Sequence, residues 1–139
     1  YWNNHHHLFQ ATEQVSGGIL WANLHLLFWL SLFPFTTGWI GENRLAAIPT
    51  AVYGFVLLMA AIAYLILERA IVAKEGRDSF VARAIGPDWK GRLSAMLYFA
   101  AIPLAFVSPW IAAGLYVIVA LLWLVPDPRI ERKLENRKE

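Results

Sequence analysis

The chain has 139 residues, of which 58% are hydrophobic and only 16% are charged, and its mean hydropathy is +0.47. Ordinary soluble domains hold about 45–50% apolar and about 25% charged residues, and a soluble domain this small cannot bury so much apolar surface. The composition therefore excludes a disordered chain, a nucleic-acid-binding tail and a typical cytosolic enzyme, and it indicates a membrane protein. Because the sequence has no cysteine, disulfides, thiolate nucleophiles and zinc–thiolate sites are excluded as well.

The first long apolar segment follows a polar stretch, 1–18, which lacks the basic start and the cleavage site of a secretory signal. Residues 14–41 form a charge-free run of 28 residues, and a membrane helix needs about 20 apolar residues. The run predicts one span, helix A, over 19–40. Trp21 and Trp39 lie at its two ends, where tryptophan is typical of a membrane–water interface.

The second charge-free run covers 45–67, which is 23 residues. Its length predicts a second span, helix B, over 46–67, with a continuation as far as Gly76 left open. Ala46, Thr50 and Gly54 repeat at every fourth position of this helix, a spacing that lets helix backbones approach closely. The pattern fits packing within one bundle, and it also fits packing between subunits.

The third run, 93–126, has 34 residues, which is about 51 Å of helix against a hydrocarbon core of about 30 Å. It fits either one long kinked helix or two short helices separated near Ser108-Pro109. A hairpin puts eleven basic residues on one side of the membrane and one on the other, whereas a single span divides them six against six. The positive-inside rule favours the hairpin. We therefore predict helix C over 93–108 and helix D over 110–126.

The same rule predicts the orientation of the bundle. Six of the basic residues lie in the loop 68–92 and five lie in the tail 127–139, so we expect both segments to be cytoplasmic, together with 1–18. Trp110 and Trp123 bracket helix D and are expected at the two interfaces. The predicted fold is an all-α, polytopic membrane helix bundle, located in the inner (plasma) membrane, with a charged cytoplasmic tail.

Histidines raise the question of a metal site, because membrane desaturases and hydroxylases bind iron through histidine boxes. The chain has four histidines, three of them consecutive at His5, His6 and His7. Consecutive helical residues point about 100° apart, so these three cannot converge on one metal ion without unwinding. No carboxylate lies at membrane depth to complete a ligand set. We therefore expect that the chain binds no metal or other cofactor, has no catalytic residue and is not an enzyme. The histidines then either form hydrogen bonds between helices or help to hold a transport pathway through the membrane.

Three strings carry a resemblance to a known family: WNNHHHLF at 2–9, LWANL at 20–24 and LFPFTT at 32–37, supported by Tyr53 and by SPW at 108–110. Together they resemble the bacterial branch of the transmembrane protein 175 potassium channel family over about 1–126. The resemblance implies six spans in each subunit, assembly as a homotetramer, K⁺ as the permeant ion and no nucleic-acid partner. It also implies that 1–12 is the cytoplasmic end of the second span, that four of the six spans are present, and that the first helix and most of the second are absent.

The family's pore is lined by the first helix, which carries an Arg-x-x-x-Phe-Ser-Asp motif that this sequence lacks, so pore-lining residues cannot be assigned. The resemblance implies instead a support network for gating, in which Asn4, His5, His6 and Asn23 match residues that brace this motif through hydrogen bonds. Histidine and asparagine supply the donors that a buried aspartate needs. No role is implied for His25.

Three hypotheses follow for the function. The first is the scaffold portion of a potassium-selective cation channel subunit that conducts K⁺ passively. The second is a non-conducting membrane scaffold or an uncharacterised transporter with a similar bundle. The third is a histidine-box metalloenzyme, which would need more histidines than the sequence contains.

Overall fold

The computed structural model describes residues 15–76, 78–79, 82 and 88–124, and these form an all-α bundle, as the sequence predicts. Its helices are α1 (Gly17–Ser31), α2 (Phe33–Glu42), α3 (Ala47–Glu75), α4 (Trp89–Val107) and α5 (Pro109–Leu124). The α1–α2 stretch, α3 and α4 have 26, 29 and 19 residues and are long and apolar enough to cross a membrane. The shorter α5 is apolar throughout its 16 residues.

The first apolar stretch, Gly17–Glu42, is one candidate span that includes the predicted helix A, 19–40, and it has a break at Leu32. The break lies beside Pro34, which has no N–H to donate to the carbonyl of Leu30. The carbonyl of Leu32 accepts from both the backbone N–H and the hydroxyl of Thr36, each at 3.0 Å. Thr36 is 2% exposed, which places this hydrogen bond inside the bundle.

Helix α3 is the centre of the bundle, because every other described helix packs against it. It continues about two turns past 67, the end of the predicted helix B, a continuation that the sequence left open, and it ends at Glu75 with Gly76 as its C-cap. The N–H of Gly76 bonds to the carbonyl of Val72 at 2.9 Å, and its φ of +93° is a conformation that favours glycine. The turn before α3 holds two residues at positive φ, Arg44 and Leu45.

Two buried clusters show how the helices run. In one, Ile19 at the start of α1 belongs to the same cluster as Leu67 and Ile71 near the end of α3, so α1 and α3 are antiparallel. In the other, small residues of α4 such as Ala101 and Ala105 pack between α3 and α5. Both alanines are fully buried, which lets the helix backbones approach closely.

Helices α4 and α5 form an antiparallel pair. Ser108 separates them with extended backbone, at φ −154° and ψ 109°, and Pro109 is the first residue of α5. The Nε1–H of Trp123, at the end of α5, donates to Ser94 Oγ near the start of α4 at 2.7 Å. The segment expected as a loop over 68–92 is shorter in the structure, because α3 continues to Glu75 and α4 begins at Trp89.

Candidate functional site

The predicted support network falls largely at the N-terminal end of the chain. Asn23 is half-buried on α1, directly after Ala22, whose side chain belongs to the cluster between α1 and α3. Asn4, His5 and His6 lie outside the described residues. The approach of these three side chains to Asn23 therefore remains a prediction.

His25 has a contact that the sequence did not indicate. Its Nε2 accepts a hydrogen bond from the indole Nε1–H of Trp29 at 3.0 Å, one helical turn further along α1. The Trp29 ring in turn meets Phe55 of α3 edge to face, with ring centroids 5.9 Å apart. His25 thus fixes the orientation of an aromatic ring that joins two helices, and it is half-buried there. In the described part of the chain, no three histidine, aspartate or glutamate side chains are grouped as metal ligands.

A tyrosine cluster joins the first turns of α3 to the middle of α4 and of α5. The Tyr116 hydroxyl donates to the backbone carbonyl of Thr50 at 3.0 Å in the buried interior. Its ring centroid lies 5.5 Å from that of Tyr53 and 6.2 Å from that of Tyr98. Gly54 makes this approach possible, because a Cβ there would overlap the Tyr116 hydroxyl oxygen. The repeat of small residues in α3 therefore serves packing within the bundle, one of the two interpretations left open by the sequence.

A second group of polar residues lies at the N-terminal end of α4. The carboxyl of Asp88 accepts from the N–H of Gly91 at 2.9 Å and so caps α4. The half-buried side chain of Glu68 on α3 lies beside this carboxyl, and Arg69 and Arg92 are close enough to act on the charge of Glu68. Acidic and basic side chains therefore lie close together where the last turns of α3 meet the start of α4.

Trp123 belongs to the same end of the bundle. Its position at a membrane interface remains a prediction; within the bundle the ring is half-buried and its centroid is 5.6 Å from that of Tyr64 on α3. The Ser94 hydroxyl accepts from Trp123 and donates to the carbonyl of Lys90 at 2.7 Å. Trp110, by contrast, is 72% exposed, as an interfacial ring would be.

All charged residues of the described part lie outside 45–67 and 93–124. The helices can therefore supply packing and neutral hydrogen bonds across the apolar interior, through the hydroxyls of Thr36, Thr50, Tyr116 and Ser94. Among the described residues, the polar groups of this interior are amides, hydroxyls and aromatic rings.

Comparisons with known proteins identify the family that this chain resembles. Residues 1–34 match the family model described as "Endosomal/lysosomal potassium channel TMEM175". A curated protein named as a potassium channel, from Chryseobacterium sp. strain P1-3, is 53% identical over 136 residues, which cover 98% of this chain and 71% of that protein. A second, from Chamaesiphon minutus and also named as a potassium channel, is 26% identical over 130 residues, which cover 86% of this chain and 62% of that protein. No solved structure matches the chain significantly.

The expectation that the chain is not an enzyme is confirmed by these relatives, because the family consists of channels. The match of 53% identity extends over nearly the whole chain and over more than two thirds of the Chryseobacterium protein. With its apolar helices, the chain is a multi-pass membrane protein. It belongs to the TMEM175 family of potassium channels.

Proposed function

We propose that this chain is the scaffold portion of a potassium-selective channel subunit that conducts K⁺ passively as a homotetramer. The observation that carries the proposal is the 53% identity, over 98% of the chain, to a protein named as a potassium channel. In the proposed subunit, the described helices surround the pore-lining helix and hold it in place. Selectivity would then depend on constrictions in the first helix, and the present helices would set its position and tilt.

The arrangement of the bundle supports a scaffold role. Helix α3 is packed on several sides, and its buried residues include the small Ala60, Ala61 and Ala63 together with larger ones such as Leu57 and Leu67. Close contact between helices gives a rigid unit, because packed interiors deform little. A rigid frame is what a pore helix needs if its tilt is to be set by its neighbours.

The proposed link between frame and pore is the network of Asn4, His5, His6 and Asn23. Asn23 is half-buried near the start of α1, and its amide offers two donors and an acceptor. A buried carboxylate in a pore helix requires such donors, since an unpaired charge at membrane depth is costly. We also propose that 1–18 and 127–139 face the cytoplasm, with the connection between α3 and α4, because the basic residues concentrate on that side.

Flux measurements test the channel proposal. The complete subunit, purified and reconstituted in liposomes, should release K⁺ faster than Na⁺ under matched gradients, and light scattering of the purified complex should give the mass of four subunits. Protein-free liposomes provide the baseline. Absence of K⁺ flux above that baseline would overturn the proposal, and a mass other than that of four subunits would overturn the tetramer.

Single-channel recordings test the bracing role. His5→Ala and Asn23→Ala should change the open probability more than the K⁺/Na⁺ preference, because these side chains position the pore helix without lining it. His7→Ala is the matched control, since no bracing role is assigned to it. A change of ion preference with unchanged open probability would contradict the proposed role.

A further inference from the structure

Trp29 lies at the middle of the first candidate span, far from both membrane surfaces. The span Gly17–Glu42 has 26 residues, and about 18–20 Å of helix separate Trp29 from either end. Water does not reach an indole N–H at this depth, and an unpaired polar group there is costly. The hydrogen bond of 3.0 Å from Trp29 Nε1–H to His25 Nε2 satisfies this donor. His25 is therefore the acceptor that allows the indole to stay at the middle of the membrane.

The same indole is a contact between α1 and α3. Its ring meets Phe55 of α3 edge to face, with centroids 5.9 Å apart and an interplanar angle of 82°. Phe28 meets it from the side of α1, with centroids 5.2 Å apart. Trp29 also packs against the buried cluster between the two helices. Because the bond to His25 fixes the rotamer of the indole, it also fixes the place where the ring meets α3.

Asn23 and His25 lie on opposite flanks of the face with which α1 packs on α3. The buried residues of α1 all belong to the cluster shared with α3, and they are Ile19, Ala22 and Leu26. Since successive residues of a helix turn by about 100°, Asn23 follows this face on one side and His25 on the other. A rotation of α1 that moves Trp29 away from Phe55 therefore changes the direction in which Asn23 points.

Apolar packing alone holds this rotation weakly. The outer side of α1 is apolar as well, with exposed residues that include Leu20, Trp21, Leu24, Leu27 and Phe28. Lipid tails are as apolar as leucine, so exchanging one apolar face for another costs little in a membrane. The contact between Trp29 and Phe55 belongs to one rotation of α1, and the bond to His25 keeps the indole in the rotamer that makes this contact.

We propose that His25 is a positioning residue for gating. By holding the Trp29 indole against Phe55, it sets the rotation of α1 and thereby the direction in which Asn23 faces the pore helix. The inference rests on the proposed function, in which Asn23 braces that helix, and it adds a residue to which the resemblance assigned no role. The acceptor at position 25 is the essential group. His25→Gln, whose amide oxygen also accepts, should therefore behave as the wild type, and His25→Leu should not.

Distances between spin labels measure the rotation directly. This chain has no cysteine, so labels attach to it only at introduced positions, Leu27→Cys on α1 and Ile66→Cys on α3, both of which are exposed. In the complete channel, diluted with unlabelled subunits, His25→Leu and Trp29→Phe should each shift or broaden the distance, and His25→Gln should preserve it. Ser31→Ala is the matched control, because it removes a side-chain hydrogen bond that stays within α1. An unchanged distance in His25→Leu would overturn the proposal.

Single-channel recordings of the unlabelled variants test the effect on gating. His25→Leu should change the ratio of open to closed time about threefold, the effect of one hydrogen bond between membrane groups, and should leave the K⁺/Na⁺ preference as it is. His25→Gln and Ser31→Ala should match the wild type. An unchanged open probability in His25→Leu, or an equal change in His25→Gln, would show that His25 only packs the bundle and would overturn the proposal. A wild-type channel without K⁺ flux would refute the proposed function alone, because the label distances report the rotation without conduction.

Discussion

Gly54→Ala tests whether the contact between α3 and α5 determines the stability of the bundle. A Cβ at position 54 would overlap the Tyr116 hydroxyl oxygen and would lie 2.9 Å from Tyr116 Cζ and 3.3 Å from Ile102 Cγ1. Tyr116 cannot turn aside freely, because its hydroxyl donates to the carbonyl of Thr50 in the buried interior. The substitution must therefore break this hydrogen bond or move the helices apart.

The expected magnitude follows from three contributions. Overpacking by one methyl group costs about 1–3 kcal/mol, and the lost interhelical hydrogen bond costs about 0.6 kcal/mol. Replacing glycine by alanine inside a helix returns about 1 kcal/mol. The net loss for Gly54→Ala is about 0.6–2.6 kcal/mol of unfolding free energy.

Equilibrium unfolding of the complete channel in mixed micelles, followed by circular dichroism, measures this loss. Gly114→Ala on α5 is the matched control, because a Cβ at that position meets nothing within 4 Å, and the variant should be no less stable than the wild type. Adding Tyr116→Phe to Gly54→Ala removes the overlapping oxygen and should recover part of the loss. The reasoning would be refuted if Gly54→Ala were as stable as Gly114→Ala.

Three further predictions concern single hydrogen bonds, each measured by the same unfolding assay. Trp123→Phe and Ser94→Ala remove the two partners of the bond that closes the α4–α5 pair, and a double-mutant cycle should give a coupling of about 0.6 kcal/mol; strictly additive effects would contradict the bond. Thr36→Val should cost at most about 1 kcal/mol, because the carbonyl of Leu32 loses the Thr36 hydroxyl and keeps the backbone N–H of Thr36 as its donor, while Thr36→Ser should retain the hydroxyl bond; equal losses in the two variants would show that the hydroxyl bond does not account for the effect. Asp88→Ala should cost about 1 kcal/mol through the lost cap, and Asp88→Asn should cost little; similar losses in both would show that the charge matters and not the cap.

The fold class could be predicted from charge placement, since runs without charge are long only where a chain crosses lipid. Pro109 also indicated the division of the third run, because proline disfavours helix in the residue before it, and Ser108 is the extended residue in the structure. Pro34 carries the same kind of signal within the first run, and the structure has a break at Leu32 inside the one span that this run predicts.

Contacts between distant residues were harder to predict, because periodicity gives the face of a helix but not the partner opposite it. The spacing of Thr50 and Gly54 indicated close packing, yet nothing in the sequence pointed to the Tyr116 hydroxyl as the group that fills the space. Trp123 was interpreted as interfacial because it lies near the end of an apolar run. Its bond to Ser94 depends on the hairpin bringing together residues 29 positions apart.

The unequal lengths of α3 and α5 have a consequence for the lipids around the channel. The charge-free part of α3, 47–67, has a length of about 32 Å, whereas the 18 charge-free residues 109–126 correspond to about 27 Å of helix. A bilayer of uniform thickness cannot match both, and each ångström of mismatch costs a fraction of a kcal/mol. We therefore expect the membrane to thin locally beside α5, so that bilayers made of short-chain lipids should stabilise this side of the subunit more than thick ones.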